Sequence, residues 1–380
     1  MGISADVKTI KPRRLVEEMP EYHPPLAGRE ALRLDFNENT LAPSPRVIER
    51  LRQTTAEGLT KYPEREPVER LVAAHFGLAA DQVLLTNGVD EAIHLMCCTF
   101  LEDGDEALIA PPSFFMYDVN IGMMTRGLVK VQADESLQFP FERFMAAITE
   151  KTKLIIVASP NNPTGATVSR EHLLAIARAA PHAVLMVDEA YYHFYGESVI
   201  GDLAEMPNIV VARTFSKAYG LANLRVGMLA GSAELLKYVK KVSSPYNVNG
   251  VALDCLSAAI QDDEYLNWYV EQVRVGREQM MAGLDELGVG YFPSAANFVL
   301  MKIGPKHKEF VAAMRKHGVL LRDRSTDPGC EGYVRITIGV EEHVKRGLDA
   351  LRASLEEIGW TKAQAVAQIA HEDSTEREFE

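Results

Sequence analysis

The chain has 380 residues, of which 47% are hydrophobic and 24% are charged, which is an ordinary composition for a globular protein with a sizeable core. Asp and Glu outnumber Lys and Arg by 53 to 40, and the resulting net charge of −13 argues against a nucleic-acid-binding or membrane-surface protein. No apolar run is long enough to span a membrane, and the first residues do not resemble a secretory signal, so we expect a cytoplasmic protein. The four cysteines lack the spacing of a metal site, and no metal is expected.

In chain order, residues 1–45 are rich in proline and charge and predict an irregular N-terminal arm. From residue 46, apolar strand patterns alternate with helical ones. The predicted strands cover residues 83–86, 107–110, 128–131, 154–158, 184–187 and 209–211. The predicted helices between them cover residues 91–101, 141–147 and 170–179. This alternation indicates a doubly wound α/β domain with a mainly parallel sheet, which binds ligands at the carboxyl ends of its strands.

After residue 251 the pattern changes to that of a smaller α+β domain. Helices are predicted at 264–287, 308–317 and 344–358, and strands at 298–303, 319–322 and 333–338. We therefore divide the chain into four parts. These are an arm that contributes to the small domain (1–45), a large domain (46–260), a small domain (261–360) and a charged tail (361–380).

Four predicted strand ends carry residues suited to chemistry. Gly88 follows the first strand and opens a helix, whose N-terminus can bind an anion. A turn with two prolines and Asn162 follows the fourth strand, and Asp188 and Tyr191 follow the fifth. A lysine follows the sixth strand, where loss of water would lower its pKa and allow it to form a Schiff base. Each feature alone is equally compatible with an ordinary turn, helix cap or surface charge.

Together these features match what pyridoxal phosphate (PLP) requires of a protein. The cofactor needs an anion site, a carboxylate for its pyridine nitrogen, donors to its ring oxygen and an amine. The lysine is Lys217, and Arg225 lies eight residues further on, close enough in sequence to reach the same anion. The sequence therefore predicts a PLP-dependent enzyme.

The chain resembles the fold-type I PLP-dependent aminotransferases, and most closely the histidinol-phosphate aminotransferases. The resemblance runs from about residue 33 to residue 355. The segments that carry it are 35–39, 43–45, 61–63, 162–165, 188–191, 216–225, 244–248, 296–298, 322–324 and 334–339. It implies a homodimer with shared active sites.

The resemblance also implies roles for individual residues around the cofactor. Lys217 would hold PLP and shuttle a proton, Asp188 would pair with the pyridine nitrogen, and Tyr191 and Asn162 would bind the ring oxygen. Phe114 would stack on the ring. The implied phosphate ligands are Gly88, Val89, Asp90, Ser216 and Arg225, with Tyr62 reaching across from a second subunit.

For the substrate, the resemblance implies that Arg335 binds a carboxylate and that Arg322 and Tyr22 meet a distal phosphate, with Asn37 lining the site. Two positions depart from the family pattern. Val89 stands where a hydroxyl residue or alanine is frequent, and Phe114 stands where tyrosine is frequent. Both departures concern substrate preference more than PLP binding.

The implied reaction converts L-histidinol phosphate and 2-oxoglutarate to imidazole-acetol phosphate and L-glutamate, a step of histidine biosynthesis. One alternative is an aminotransferase for aromatic amino acids or with broad specificity. Another is a PLP-dependent decarboxylase of a phosphorylated amino acid. A PLP-sensing module without catalysis is disfavoured, because no helix-turn-helix pattern precedes residue 46.

Overall fold

The computed structural model describes residues 10–19 and 30–361. Within these residues the strands are β1 (Leu32–Arg33), β2 (Val83–Thr86), β3 (Glu106–Ile109), β4 (Gly127–Lys130), β5 (Thr152–Ala158), β6 (Val184–Asp188), β7 (Ile209–Thr214), β8 (Gly227–Gly231), β9 (Gly290–Phe292), β10 (Phe298–Lys302), β11 (Val319–Leu320), β12 (Arg322–Asp323) and β13 (Tyr333–Thr337). Seven of them form the large sheet, in the order β2-β8-β7-β6-β5-β3-β4.

The α-helices flank this sheet and a smaller one. They are α1 (Arg14–Glu17), α2 (Pro45–Arg52), α3 (Ala56–Leu59), α4 (Glu66–His75), α5 (Gly88–Phe100), α6 (Met116–Gly122), α7 (Phe141–Ala146), α8 (Arg170–Ala179), α9 (Ala233–Val242), α10 (Gly250–Ala259), α11 (Asp263–Leu287), α12 (His307–Lys316) and α13 (Glu341–Glu357). Several begin at side-chain caps; Ser169, for example, accepts a hydrogen bond from His172 N–H at the start of α8.

The large sheet confirms the predicted fold class. Its pairings are parallel except those of β8, which runs antiparallel to both β2 and β7. Every residue of β6 and β7 is buried, because helices cover both faces of the sheet, and this explains their continuous apolar sequences. β8 was not predicted, because its two glycines weaken the strand pattern in its sequence.

The predicted element bounds need two corrections. The helix expected at 91–101 begins three residues earlier, at Gly88, so its first turn includes the proposed phosphate ligands. The single strand expected at 319–322 is wrong, since it consists of two strands in different sheets. β11 pairs in parallel with β1, whereas β12 pairs antiparallel with β13.

The C-terminal part has a four-stranded antiparallel sheet in the order β12-β13-β10-β9. The pairing of β1 with β11 brings the N-terminal segment against this part of the chain, so that residues 35–38 face the end of the large sheet. No helix within residues 10–19 and 30–361 combines the length and apolar character of a membrane span. Over those same ranges no cluster of three metal-ligating side chains is found.

Candidate active site

A cavity of about 730 Å³ lies at the carboxyl ends of β5, β6 and β7. The N-terminus of α5 forms one side, and β12, β13 and the segment before α2 form the other. Ligands of doubly wound sheets bind at this edge. The sequence predictions therefore converge on one place, although they come from segments far apart in the chain.

Lys217 follows β7 and points into the cavity. Its Nζ donates to the carbonyl oxygen of Phe36 at 2.9 Å. Loss of water around the amine, followed by the positive charge of Arg335, lowers the pKa of Lys217 to about 8. About a tenth of the amine is therefore neutral near pH 7, far more than for an ordinary lysine, and the neutral amine is the nucleophilic form.

Asp188 is the last residue of β6 and is only 5% exposed. Its Oδ2 accepts a hydrogen bond from the Tyr117 hydroxyl at 2.6 Å, and its Oδ1 accepts from Ala190 N–H at 3.0 Å. Burial raises the pKa of Asp188 to about 6 despite these bonds. The buried carboxylate is suited to a cationic partner such as a protonated pyridine nitrogen.

Tyr117 is a site residue that the sequence analysis missed. It lies on α6 one turn after Phe114, and its ring packs edge-on against that of Phe114 at 5.7 Å. Its side chain is completely buried, and burial next to Asp188 raises the pKa of the phenol well above its usual value. Phe114 lies just before α6, and the three-residue spacing of the two aromatic residues was the local signal available in the sequence.

Asn37 adopts a left-handed backbone conformation with φ of 54° and holds Tyr191 in place. Its Nδ2 donates to the Tyr191 hydroxyl oxygen at 2.9 Å, and its backbone N–H donates to Thr337 Oγ1 at 2.9 Å. Asn tolerates this conformation better than most residues. Asn37 thereby connects the phenol of Tyr191, three residues after the end of β6, to β13.

An anion-binding cup lies at the N-terminus of α5. Asp90 forms an ion pair with Arg225 at 2.8 Å, and Arg225 Nη1 lies 3.5 Å from Ser216 Oγ. Gly88 has φ of +72°, and a Cβ atom there would lie 2.6 Å from Nη2 of Arg225. The N–H groups of the first turn of α5, the helix dipole and the Arg225 guanidinium are together suited to bind a phosphate. A side chain at position 88 would fill the space that this phosphate needs.

Three arginines, which we call the arginine wall (Arg322, Arg324 and Arg335), line the side of the cavity formed by β12 and β13. Arg335 is buried; it donates to the carbonyl oxygen of Asp35 at 2.8 Å and to Asn162 Oδ1. Burial, and then the charge of Arg324, lowers the pKa of Arg335 to about 9. Such a wall is suited to anionic substrate groups.

A buried ion pair lies behind the site and was also missed. Arg213 donates from Nε and Nη2 to Glu189 Oε2 at 2.9 and 2.8 Å, and both side chains are 2% exposed. The Tyr192 ring lies 3.7 Å from the guanidinium. The pair joins the ends of β6 and β7, and so connects the segments that carry Asp188 and Lys217.

The structure brings most of the predicted site residues to this one cavity. Those toward the large sheet are Val89, Asp90, Phe114, Asp188, Tyr191, Ser216, Lys217 and Arg225. Those toward the small sheet and the connecting segments are Asn37, Asn162, Arg322 and Arg335. Gly88 lies against Arg225 at the base of the cup.

One predicted residue, Tyr62, is not part of this cavity. Tyr62 is 78% exposed and stacks on Tyr246, with ring centroids 4.4 Å apart. It does not line the cavity of its own chain. Tyr22 lies outside the described residues, and its predicted role stays a prediction.

A half-buried lysine with a lowered pKa, a buried carboxylate and an anion cup at the strand ends of a fold-type I architecture define a PLP-dependent enzyme. The chain belongs to the family of class I and II aminotransferases, whose model matches residues 29–351. It is therefore a PLP-dependent transaminase that acts on small molecules.

Individual members of the family, and solved structures, are similar to this chain over most of its length. The chain is 34% identical to a histidinol-phosphate aminotransferase of Symbiobacterium thermophilum, over 94% of this chain and 99% of that protein. It is similar in structure to the histidinol-phosphate aminotransferase of Sinorhizobium meliloti in complex with pyridoxal-5'-phosphate, with a TM-score of 0.83, 25% identity and coverage of 94% and 100%. A double mutant of Thermus thermophilus aspartate aminotransferase matches with a TM-score of 0.76, 26% identity and coverage of 91% and 100%.

Proposed function

We propose that the enzyme transfers the amino group of L-histidinol phosphate to 2-oxoglutarate, giving imidazole-acetol phosphate and L-glutamate in histidine biosynthesis. The observation that carries this proposal is the arginine wall, which faces the cavity that also contains Lys217. Histidinol phosphate has no α-carboxylate, so its phosphate would use the arginines that later bind the carboxylates of glutamate. The names of the curated relatives support the same substrate.

When bound, PLP supplies an electron-accepting ring that stabilises negative charge on the substrate's α carbon. Lys217 would hold the cofactor through its amine and then carry a proton at Nζ. Asp188 would keep a proton on the pyridine nitrogen, since a buried carboxylate favours a cation beside it. Tyr191, oriented by Asn37, would donate to the ring oxygen together with Asn162.

The remaining residues would hold the cofactor in position. The N–H groups of Gly88, Val89 and Asp90, with Ser216 and Arg225, would bind its phosphate. Phe114 would pack on its ring. We also propose that the enzyme is cytoplasmic. We further propose a large domain at 46–260 and a small domain at 261–360 to which the arm 1–45 contributes, followed by a charged tail at 361–380.

The reaction can be tested by comparing three amino donors with 2-oxoglutarate as acceptor. We expect histidinol phosphate to have a much higher kcat/KM than aspartate or phenylalanine. A higher value for phenylalanine or aspartate would refute the proposed substrate and favour the broad-specificity alternative. Release of carbon dioxide from a phosphorylated amino acid without 2-oxoglutarate would instead favour a decarboxylase.

We further propose a homodimer in which Tyr62 reaches the cofactor phosphate of the partner subunit, since its exposed ring lies outside its own cavity. Lys217→Ala and Tyr62→Ala should each give a protein with little activity, and Lys217→Ala should also lose the visible absorbance of the bound cofactor. Mixed dimers of the two variants contain one intact site, and should recover about a quarter to a half of the activity. Absence of any recovery in verified mixed dimers would exclude a shared site.

A further inference from the structure

The third member of the arginine wall, Arg324, has no role in the reaction derived so far. It directly follows β12, and its backbone N–H donates to the carbonyl oxygen of Tyr333 at 3.0 Å, so it extends the pairing with β13. Arg322 and Arg324 are two residues apart on an extended chain and therefore face the same side. Arg322 is the cross-strand partner of Arg335, which places all three guanidinium groups on one face.

Arg324 is held by a carboxylate that also lines the cavity. Its guanidinium forms an ion pair with Asp327, and the two side chains are only 11% and 17% exposed. Asp323, on the same turn, is held by His307 Nδ1 at 2.8 Å and by Ser325 N–H at 2.9 Å. Asp327 is thus the carboxylate of this turn that contacts Arg324.

The arginine wall retains donors that the protein does not satisfy. The Nε atoms of Arg324 and Arg335 are buried and have no hydrogen-bond partner among the described residues. Buried donors of this kind are costly unless a ligand provides an acceptor. Both belong to guanidinium groups that line the cavity, so a rotation of either group would turn an unsatisfied donor toward an anion bound there.

The number of donors favours a phosphate over a carboxylate. A phosphate monoester carries up to two negative charges and three terminal oxygens, whereas a carboxylate has one charge and two oxygens. Arg322 and Arg335 together can satisfy a carboxylate. A third guanidinium adds little for a carboxylate but can bind the further oxygen of a phosphate.

We propose that Arg324 is a specificity-determining residue that binds the distal phosphate of the substrate, and that Asp327 occupies this guanidinium when no phosphate is present. The substrate phosphate would displace the Asp327 carboxylate from Arg324, whereas a monoanionic group would compete poorly with it. The pair would thereby discriminate against amino donors with a distal carboxylate or neutral group. This inference rests on the proposed function for its substrate, but its chemistry concerns only the charge of the distal group.

The test uses the PLP-bound enzyme and two non-reacting probes of similar size, propyl phosphate and butyrate, at about pH 8, where the phosphate monoester is doubly charged. Their dissociation constants are measured by calorimetry at constant ionic strength. For Arg324→Gln we expect the affinity for propyl phosphate to fall by about tenfold or more, and that for butyrate by less than about threefold. For Asp327→Asn we expect the affinity for propyl phosphate to rise.

Two further variants keep the result interpretable. Arg352→Gln removes an exposed arginine of α13 outside the cavity and should change neither affinity. Arg324→Lys keeps the charge but not the forked donors, and its affinity for propyl phosphate should lie between those of wild type and Arg324→Gln. If the glutamine variant folds poorly, the lysine variant should still bind propyl phosphate more weakly than wild type. Equal losses for both probes, or no loss for propyl phosphate, would overturn the proposal, as would a lower phosphate affinity in Asp327→Asn.

The same measurements separate this inference from the proposed reaction. If the wild-type enzyme fails to transaminate histidinol phosphate but Arg324→Gln still loses propyl phosphate selectively, the proposed reaction fails and the specificity role stands. If histidinol phosphate is the preferred donor and the variant binds propyl phosphate normally, only the role of Arg324 is refuted.

Discussion

Asp188 is a buried carboxyl group, and the variant Asp188→Asn measures how much its ionisation lowers the free energy of unfolding when no cofactor is bound. Burial raises the pKa of this carboxyl from 3.8 to about 6. At about 1.4 kcal/mol per pKa unit, the shift corresponds to roughly 3 kcal/mol of lost stability once the group is ionised. The asparagine can keep both hydrogen bonds, because its Oδ1 can accept from Ala190 N–H and its Nδ2 can donate to the Tyr117 oxygen.

The sign of the pH dependence follows from proton binding. Between about pH 4 and 6 the folded protein binds more protons at Asp188 than the unfolded chain does, so this contribution to wild-type stability is lost as the pH rises through that window. We expect cofactor-free Asp188→Asn to be about 2–3 kcal/mol more stable than wild type near pH 8 and about equally stable near pH 4.

The assay is urea denaturation of cofactor-free protein across this pH range, at one fixed protein concentration. Asp134→Asn is a control whose stability difference from wild type near pH 8 should have the opposite sign. A hydrogen bond from Ser136 lowers the pKa of this surface carboxyl, so its ionised form stabilises the folded state. A stability difference independent of pH, or a less stable Asp188→Asn near pH 8, would refute the reasoning. The same variant should bind PLP more weakly, since it lacks the charge proposed to face the pyridine nitrogen.

Two other predictions concern the cup and the buried ion pair. Gly88→Ala should weaken PLP binding about tenfold or more, as measured by equilibrium dialysis. The added Cβ would lie 2.6 Å from Arg225 Nη2, and the φ of +72° at this position disfavours alanine. Unchanged affinity would contradict this prediction and show that the cup can widen. Arg213→Met should lower the free energy of unfolding by about 3–5 kcal/mol, because it leaves Glu189 buried without its cation. Adding Glu189→Gln removes the unpaired charge and keeps an acceptor for Ser198 Oγ and Val199 N–H, so it should restore much of that loss in urea titrations. A loss under about 1 kcal/mol in Arg213→Met alone would contradict the buried pairing.

The large sheet was largely predictable, because strands buried on both faces have continuous apolar sequences that stand out between helices. Lys217 and Asp188 were found for a related reason, since polar residues directly after such strands lie at the ligand-binding edge. The strand β8 was missed because Gly227 and Gly231 at its two ends resemble turn residues. Its antiparallel direction depends on long-range pairing with β2 and β7, which no local pattern encodes.

The missed residues of the site depend on contacts between distant segments. Tyr117 meets Asp188 across 71 positions, and Arg213 meets Glu189 across 24. In the sequence, nothing distinguishes Tyr117 from other aromatic residues near apolar ones. Likewise, Arg213 is only a charged residue within a strand. The burial of Arg335 is not predictable from its strand alone, because Tyr333, Arg335 and Thr337 share one face and only the sheet pairing decides which face is covered. The domain boundaries and individual residue roles stay predictions.

The segment 35–37 contacts both sides of the cavity through its backbone carbonyl groups. The carbonyl of Phe36 accepts from Lys217, and the carbonyl of Asp35, one residue earlier, accepts from Arg335. The charge of Arg335 also lowers the pKa of Lys217, second only to burial. An anion that neutralises Arg335 therefore raises the proton affinity of the Lys217 amine. Because linkage is reciprocal, protonation of Lys217 strengthens anion binding by the same factor, so proton and anion act as cooperative ligands of one site.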